Sequence, residues 1–326
     1  MANEYLDLPI LIIGFQRVNS LKTLINECLR QTNSKIYISM DGPPASNSQT
    51  VFDARKLVES YKSKFPNRIL LRQLSDNVGS AVNMITALDW FFSNNSNGVV
   101  LEDDCIPHKD FFQYAVRALE YIKYDDSIWF VSGFRPLIKE LEEFDYVLCT
   151  LPLNWGWGTT QDKWSEIREL LFEPRIENLF ISFLKGPSRV FWNVGYRRII
   201  NGWVDAWDTA IAFIMVQECK FTLIPNCNLV SNIGTDEFAL NTKNKSIFLN
   251  STTTSWDGKG ISTYPEDSHK VNKEVYKKMI GIRNSHAILP IAKYWIQKLF
   301  KLHKNFGNLH LRLAKYKSEE SHENGM

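Results

Sequence analysis

Residues 98–107 read GVVLEDDCIP: the apolar run Val99-Val100-Leu101 stops at three consecutive acids, Glu102, Asp103 and Asp104. A short apolar run closed by a polar cluster reads as a buried strand emerging at the carboxyl edge of a sheet. In open α/β sheets that edge is where ligands bind. Three adjacent carboxylates repel one another, so a fold that gathers them there is expected to supply a cation. Oxygen-only ligands suit Mn2+ or Mg2+. The expectation is an acidic corner that holds a divalent metal, with the metal holding a nucleotide diphosphate.

On either side of this stretch, strands and helices alternate. Residues 8–15 (LPILIIGF), 35–41 (KIYISMD) and 67–74 (NRILLRQL) read as strands. Helical periods fall between them, through Arg30 and over 49–64, and the loop Ser75-Asp76-Asn77-Val78-Gly79 opens a helix over 80–93. A helix over 108–124 and a strand over 128–134 follow the acids. Crossovers of this length belong to βαβ units, so the fold class is α/β: a doubly wound, mostly parallel sheet flanked by helices. The first βα turn, Gly14-Phe15-Gln16-Arg17, is not G-x-G-x-x-G, and no P-loop is present, which argues against a dinucleotide oxidoreductase and a P-loop NTPase.

Beyond Arg135 the pattern changes. A further strand is expected near 146–151, then an aromatic, glycine-rich loop, Asn154-Trp155-Gly156-Trp157-Gly158, and helices over 161–171 and 176–184. Trp203-Val204-Asp205-Ala206-Trp207-Asp208 opens an apolar helix over 209–217, short strands flank Pro225, and 235–268 reads as a mobile loop over the site.

The 326 residues carry a net charge of only +2, with 44% hydrophobic and 13% aromatic content, which suits a globular protein with a large core. The charge is unevenly spread: Val275 to Ser318 holds ten Lys or Arg and no acid, leaving a mildly acidic body. A nucleic-acid binder would carry its basic surface on the folded domain, so no nucleic-acid partner is expected. Five cysteines without a CxxC pair argue against a zinc site and a disulfide framework. The N-terminus has no signal-peptide pattern and no run reaches the ~18 apolar residues of a spanning helix, so the expected setting is cytoplasmic.

In order along the chain, Leu11-Ile12-Ile13-Gly14-Phe15-Gln16-Arg17, Asp76-Asn77-x-Gly79, Leu101-Glu102-Asp103-Asp104, Trp155-Gly156-Trp157-Gly158, Trp207-Asp208 and Asn232-Ile233-Gly234 together resemble the GT-A nucleotide-diphospho-sugar glycosyltransferases. The likeness points to the inverting branch that includes the N-acetylglucosaminyltransferase I-like enzymes and bacterial family-2-like relatives, and it spans about residues 8–240. It implies a GT-A domain with a nucleotide-sugar-binding half (1–135), an acceptor-binding and catalytic half (136–270) and a helical C-terminal extension (271–326).

The resemblance also implies roles. Asp104 would bind the metal, Mn2+ or Mg2+, that bridges the donor diphosphate. Asp103, with Glu102 beside it, would sit near the donor ribose or sugar, and Asp41 near the base. Gly14, Arg17, Asp76, Asn77 and Gly79 would line the nucleotide pocket, and Asp208 would be the base on the acceptor hydroxyl. Trp155, Trp157 and Trp207 could stack on acceptor sugars. Relatives often carry a histidine after the N-I-G run, where this chain reads Ala239-Leu240-Asn241-Thr242.

Other readings of the same residues stay open. Asp104 could cap a helix, Asp41 could open the Gly-Pro turn, Asp208 could be an N-cap with Asp205 the base, Arg17 could be a plain surface charge, and the tryptophans could be core. The expected activity is metal-dependent, inverting transfer of a sugar from a nucleotide-diphosphate donor, UDP-linked as first candidate, to a glycan or lipid-linked polysaccharide. The alternatives are a sugar-nucleotide nucleotidyltransferase and a non-enzymatic glycan-binding module. In the tail, Leu289, Ala292, Trp295, Ile296, Leu299 and Phe300 recur at helical spacing among lysines. That suits an amphipathic helix on the anionic inner face of a membrane, or one packed back on the domain.

Overall fold

A computed structural model describes residues 7–44, 49–136, 145–172, 197–199, 201–234, 250–258, 261, 309, 312–313 and 315–316. The elements run β1 (Ile10–Gly14), α1 (Val18–Gln31), β2 (Ile36–Met40), α2 (Gln49–Lys64), β3 (Ile69–Gln73), α3 (Ser80–Phe92), β4 (Asn97–Glu102), β5 (Cys105–Pro107), α4 (Phe111–Ile122) and β6 (Ile128–Ser132). They continue with β7 (Val147–Cys149), β8 (Trp157–Thr160), α5 (Gln161–Phe172), α6 (Trp207–Gln217), β9 (Phe221–Ile224) and β10 (Val230–Asn232).

The large sheet has the order β3-β2-β1-β4-β8-β6-β9-β7. Strands β1 to β4 pair in parallel, as do β6 and β9, whereas β8 and β7 run antiparallel to their neighbours. This is the doubly wound, mostly parallel architecture read from the alternating pattern. Helices cover both faces, and alternate residues of a strand serve opposite faces. Ile10 and Ile12 of β1 and Val99 and Leu101 of β4 pack with α1, α2 and α4. Leu11 and Val100, one position out of step, pack with α3, α5 and α6. Two-sided burial is why these strands read as nearly continuous apolar runs.

The chain steps outward from β1 through β2 to β3 and then returns to β4 on the other side of β1. The carboxyl ends of β1 and β4 therefore flank the topological switch point, where a crevice opens in such sheets. The register sets Ile13 beside Glu102, so Gly14 to Arg17 emerge next to Asp103 and Asp104. Trp157 and Gly158, read above as part of a loop, open strand β8, wedged between β4 and β6. Gly158 permits this: a Cβ there would lie 2.8 Å from the Gly98 carbonyl.

The acids are followed by a strand, not a helix. β5 pairs antiparallel with β10, bringing Asn232 opposite Cys105, and α4 starts only at Phe111. Asp104 is therefore not a helix cap. The 176–184 helix, the Ala239–Thr242 position and most of the 235–268 loop lie outside the described residues. So does most of the tail. Its described members, Leu309, Arg312, Leu313, Lys315 and Tyr316, are helical, with Leu309 and Leu313 buried against α3, α5 and α6. Among the described residues no helix is long and apolar enough to cross a membrane.

Candidate active site

Asp103 and Asp104 are buried where β4 ends, and Arg17, the residue before α1, reaches across from the end of β1 to both. Arg17 Nη1 lies 2.9 Å from Asp103 Oδ1 and 3.0 Å from Asp104 Oδ2. Asp103 is fixed further by its backbone N–H on the Ile13 carbonyl (3.0 Å) and by the Phe15 N–H donated to its Oδ2 (3.2 Å). Arg17 is thus an internal counter-ion, not a plain surface charge.

Asp104 is held from the other side by the Asn232-Ile233-Gly234 run that β10 delivers. Asn232 Nδ2 donates to Asp104 Oδ1 (3.2 Å), the Ile233 N–H donates to the Asp104 carbonyl (2.9 Å), and the Gly234 N–H closes back on Asn232 Oδ1 (2.9 Å). A Cβ on Gly234 would collide with Asp104 Oδ2, so any side chain there would have to displace that carboxylate. Glu102 accepts from Asn154 Nδ2 at 3.3 Å, which ties the loop before β8 to the acidic corner.

Asp208 lies in the first turn of α6, whose N-cap is Ala206, so it is not the cap. Its Oδ1 accepts from the Thr209 N–H at 2.7 Å. Trp207 stacks on Trp157 of β8 at 5.6 Å between ring centroids, and that stack sets the start of α6 over the sheet edge. Asp208 is near enough to Glu102 for its charge to matter. Burial, then the charges of Asp104, Asp208 and Asp103, raise the Glu102 pKa well above the carboxylate range, against the pull of Arg17. Burial and the charge of Asp104 push Asp103 up to about 6. Asp208 is raised by burial.

The loop after β2 and the loop before α3 meet at the same edge of the sheet. Asp41, just past β2, receives the N–H groups of Gly42 (2.8 Å), Val78 (3.0 Å) and Gly79 (3.1 Å), and Nδ2 of Asn77 (3.2 Å). Even so, burial raises its pKa. Asp41 therefore bolts the Asn77–Gly79 loop to the end of β2. Gly42 backs this loop so closely that a Cβ would collide with the Asp76 backbone. The Asp76 side chain itself is exposed. Gly14 is buried, and a Cβ there would press on Met40 Sδ at 2.8 Å.

The tryptophans divide. Trp157 (2% exposed) and Trp207 (4%) belong to the core and offer no open ring face to a sugar, which corrects the expectation of stacking platforms. Trp155 is half-buried against Phe134, with ring centroids 4.5 Å apart. Sequence reasoning did not single out Asn154 or Arg312, and it quoted Asn232 only as part of a motif. The offset of Asn232 from the acids is visible only once β5 and β10 pair.

Among the described residues no three His, Cys, Asp or Glu side chains converge as a ready-made metal cage. The five cysteines are unpaired thiols. The corner nevertheless suits a divalent ion held the way Mg2+ and Mn2+ are held beside phosphates, by one carboxylate plus substrate oxygens and water. Asp103 and Asp104 both meet the Arg17 guanidinium, and burial first, then the charges of Asp104, Asp208 and Asp103, raise the pKa of Glu102 beside them.

No protein-family model matches the chain, and no curated protein matches its sequence. Among solved structures, the inositol-1-phosphate CTP transferase from T. maritima aligns with a TM-score of 0.35 and 8% identity over 67% of this chain and 85% of that one. The glycosyltransferase GlyE of Streptococcus pneumoniae TIGR4, in its apo form, aligns with a TM-score of 0.33 and 11% identity over 67% of this chain. The match spans 45% of the length of GlyE. Likenesses this distant decide nothing about the reaction.

Proposed function

We propose that this chain is a glycosyltransferase of the GT-A type, moving a sugar from a nucleotide-diphosphate donor to a glycan or lipid-linked acceptor with inversion. The observation that supports it most is the approach of Asp208, on α6, to the carboxylates at the end of β4, close enough for its charge to raise the Glu102 pKa. Acids from the two halves of the chain then come close to one another, which supports a reading in which one set serves the donor and the other the acceptor hydroxyl.

In this reading the Asn77–Gly79 loop and the end of β2 cradle the nucleoside, and Arg17 and Asp104 face its diphosphate. A divalent ion at Asp104, Mn2+ or Mg2+, would act as a Lewis acid on the charge of the leaving diphosphate. Asp208 takes the proton from the acceptor hydroxyl as that oxygen attacks. Burial keeps its affinity for a proton above that of an ordinary carboxylate, which suits a general base. Asn154 and Asn232 hold Glu102 and Asp104 in place.

A thermal-shift screen of UDP, other nucleoside diphosphates and their sugars, with and without Mn2+, tests this, because a ligand that binds only the folded state raises its melting temperature. The expected result is a shift that needs Mn2+, is absent from Asp104→Ala and persists in Asp208→Asn. A chain that responds to no nucleoside diphosphate would overturn the reading.

A further inference from the structure

Arg312 belongs to the C-terminal segment, more than a hundred residues beyond Asp208, yet its guanidinium sits between the two loops of the crevice. Its Nη1 lies 2.8 Å from Asp205 Oδ1, and its Nη2 donates to the Val78 carbonyl. The Arg312 and Asp205 side chains are only 19% and 10% exposed. The same Val78 peptide region is gripped from below, where Asp41 receives the N–H groups of Val78 and Gly79. Gly79, at φ +84°, leaves the space: a Cβ there would come within 2.5 Å of Asp205 Oδ2 and 2.8 Å of Arg312 Nη2.

The segment that carries Arg312 is itself anchored. Leu309, Leu313 and Tyr316 stand at i−3, i+1 and i+4 from it, on one helical face. Both leucines are buried, and Arg72 donates to the Tyr316 hydroxyl while lying 5.5 Å from its ring. Arg72 in turn holds Ser39 Oγ (3.0 Å) and Thr86 Oγ1 (2.9 Å), on β2 and α3. An arginine presented this firmly is not a chance surface contact.

We infer that Arg312 is a positioning residue that locks the Asn77–Gly79 loop to the Asp205 loop leading into Asp208, making the C-terminal segment a working part of the crevice. The lock stands on this geometry, and its consequence for nucleotide binding rests on the function proposed above. One fork serves both loops: a guanidinium can meet a carboxylate and a carbonyl together, and an ammonium presents no such planar pair of donors. Without it, Asp205 would be left as a buried charge whose field already raises Asp41, and the Val78 carbonyl would lose its donor.

The test uses the full chain and three variants: Arg312→Ala, Arg312→Lys and the charge-balanced double variant Arg312→Met/Asp205→Asn. Amide hydrogen exchange of the ligand-free proteins is read at 77–79 and 203–208, with β6 as the internal standard. Arg312→Ala is expected to speed exchange in both loops and leave β6 unchanged, with Arg312→Lys in between. The double variant removes the unpaired charge and is expected to recover melting temperature but not loop protection. Loss of one charge-assisted hydrogen bond corresponds to roughly tenfold weaker affinity, which is the expected change for whichever nucleoside diphosphate, with Mn2+, the parent protein binds. Unchanged exchange in both loops would overturn the inference, as would a double variant that regains protection along with stability. If the parent binds no nucleoside diphosphate, the proposed function falls, and the exchange data alone still decide the lock.

Discussion

Arg17 and Asp104 meet at 3.0 Å, Nη1 to Oδ2, in the acidic corner where β4 ends. The same nitrogen also serves Asp103. Arg17 therefore already supplies positive charge at Asp104, and on the function proposed above a divalent ion would compete with it for the same carboxylate.

Arg17→Ala exposes that competition. It removes the guanidinium that Asp103 and Asp104 share, a change that costs about 3–5 kcal/mol when a buried pair is broken from one side. The pH sign follows from the raised pKa of Asp103: charge on a buried acid burdens the fold above its folded value and is relieved as pH falls through it. The variant should lose stability in urea at pH 8, and less at pH 5. Mn2+ should restore part of the loss at pH 8. Equal stability of variant and parent at pH 8 would show that Arg17 neutralises nothing, and absence of any Mn2+ effect on either protein would remove the metal from Asp104.

Asp208→Asn separates burden from use. The Thr209 N–H can still donate to the remaining carbonyl oxygen, so the variant keeps its local geometry and sheds a buried charge. Since burial raises the Asp208 pKa, the ionised form weakens the fold above that value. The variant should therefore be the more stable protein at pH 8, with the difference closing as pH falls through the raised pKa. Sugar transfer should drop by about 10²–10⁴-fold, the usual worth of a general base. In the parent, transfer should decline with acidification at a pH above the ordinary aspartate value. A variant that is less stable than the parent at pH 8, or one with full turnover, would assign Asp208 to scaffolding.

The sheet was legible because two-sided burial writes long apolar strands, and because α1 and α4 carry plain helical periods. The position of the acids was legible for the same reason: β4 is apolar until the residue where it leaves the core. Strand β8 was not, because four residues containing Trp157 and Gly158 have loop composition, and only the close approach to Gly98 makes a strand of them. The stacking role given to Trp157 and Trp207 failed for a related reason. An aromatic beside glycine can as well be a core residue under a narrow strand, and burial decides. Arg312 lay in a lysine-rich tail whose charge pattern suggests an outward face, and nothing in its neighbours' identities marks it as an arginine that turns inward. Contacts between segments this far apart in the chain leave no local pattern.

Asn232 offers the sharpest check of how the acidic corner is held. Its amide joins two chain segments, donating to Asp104 Oδ1 at 3.2 Å and accepting the Gly234 N–H at 2.9 Å. Asn232→Ala takes one donor from the buried Asp104 carboxylate and leaves the buried Gly234 N–H without its acceptor, which costs about 1–3 kcal/mol. Groups that orient a metal-binding side chain are typically worth about 10–100-fold in metal affinity. Gly234→Ala attacks the same carboxylate differently: it keeps both hydrogen-bonding groups but drives a methyl into Asp104 Oδ2. Both variants should weaken Mn2+ binding, followed by electron paramagnetic resonance with a nucleoside diphosphate present. Only Asn232→Ala should owe its loss of stability to unpaired polar groups. If Mn2+ binds both variants as tightly as the parent, the ion is held elsewhere, and the pairing of β5 with β10 serves the fold alone.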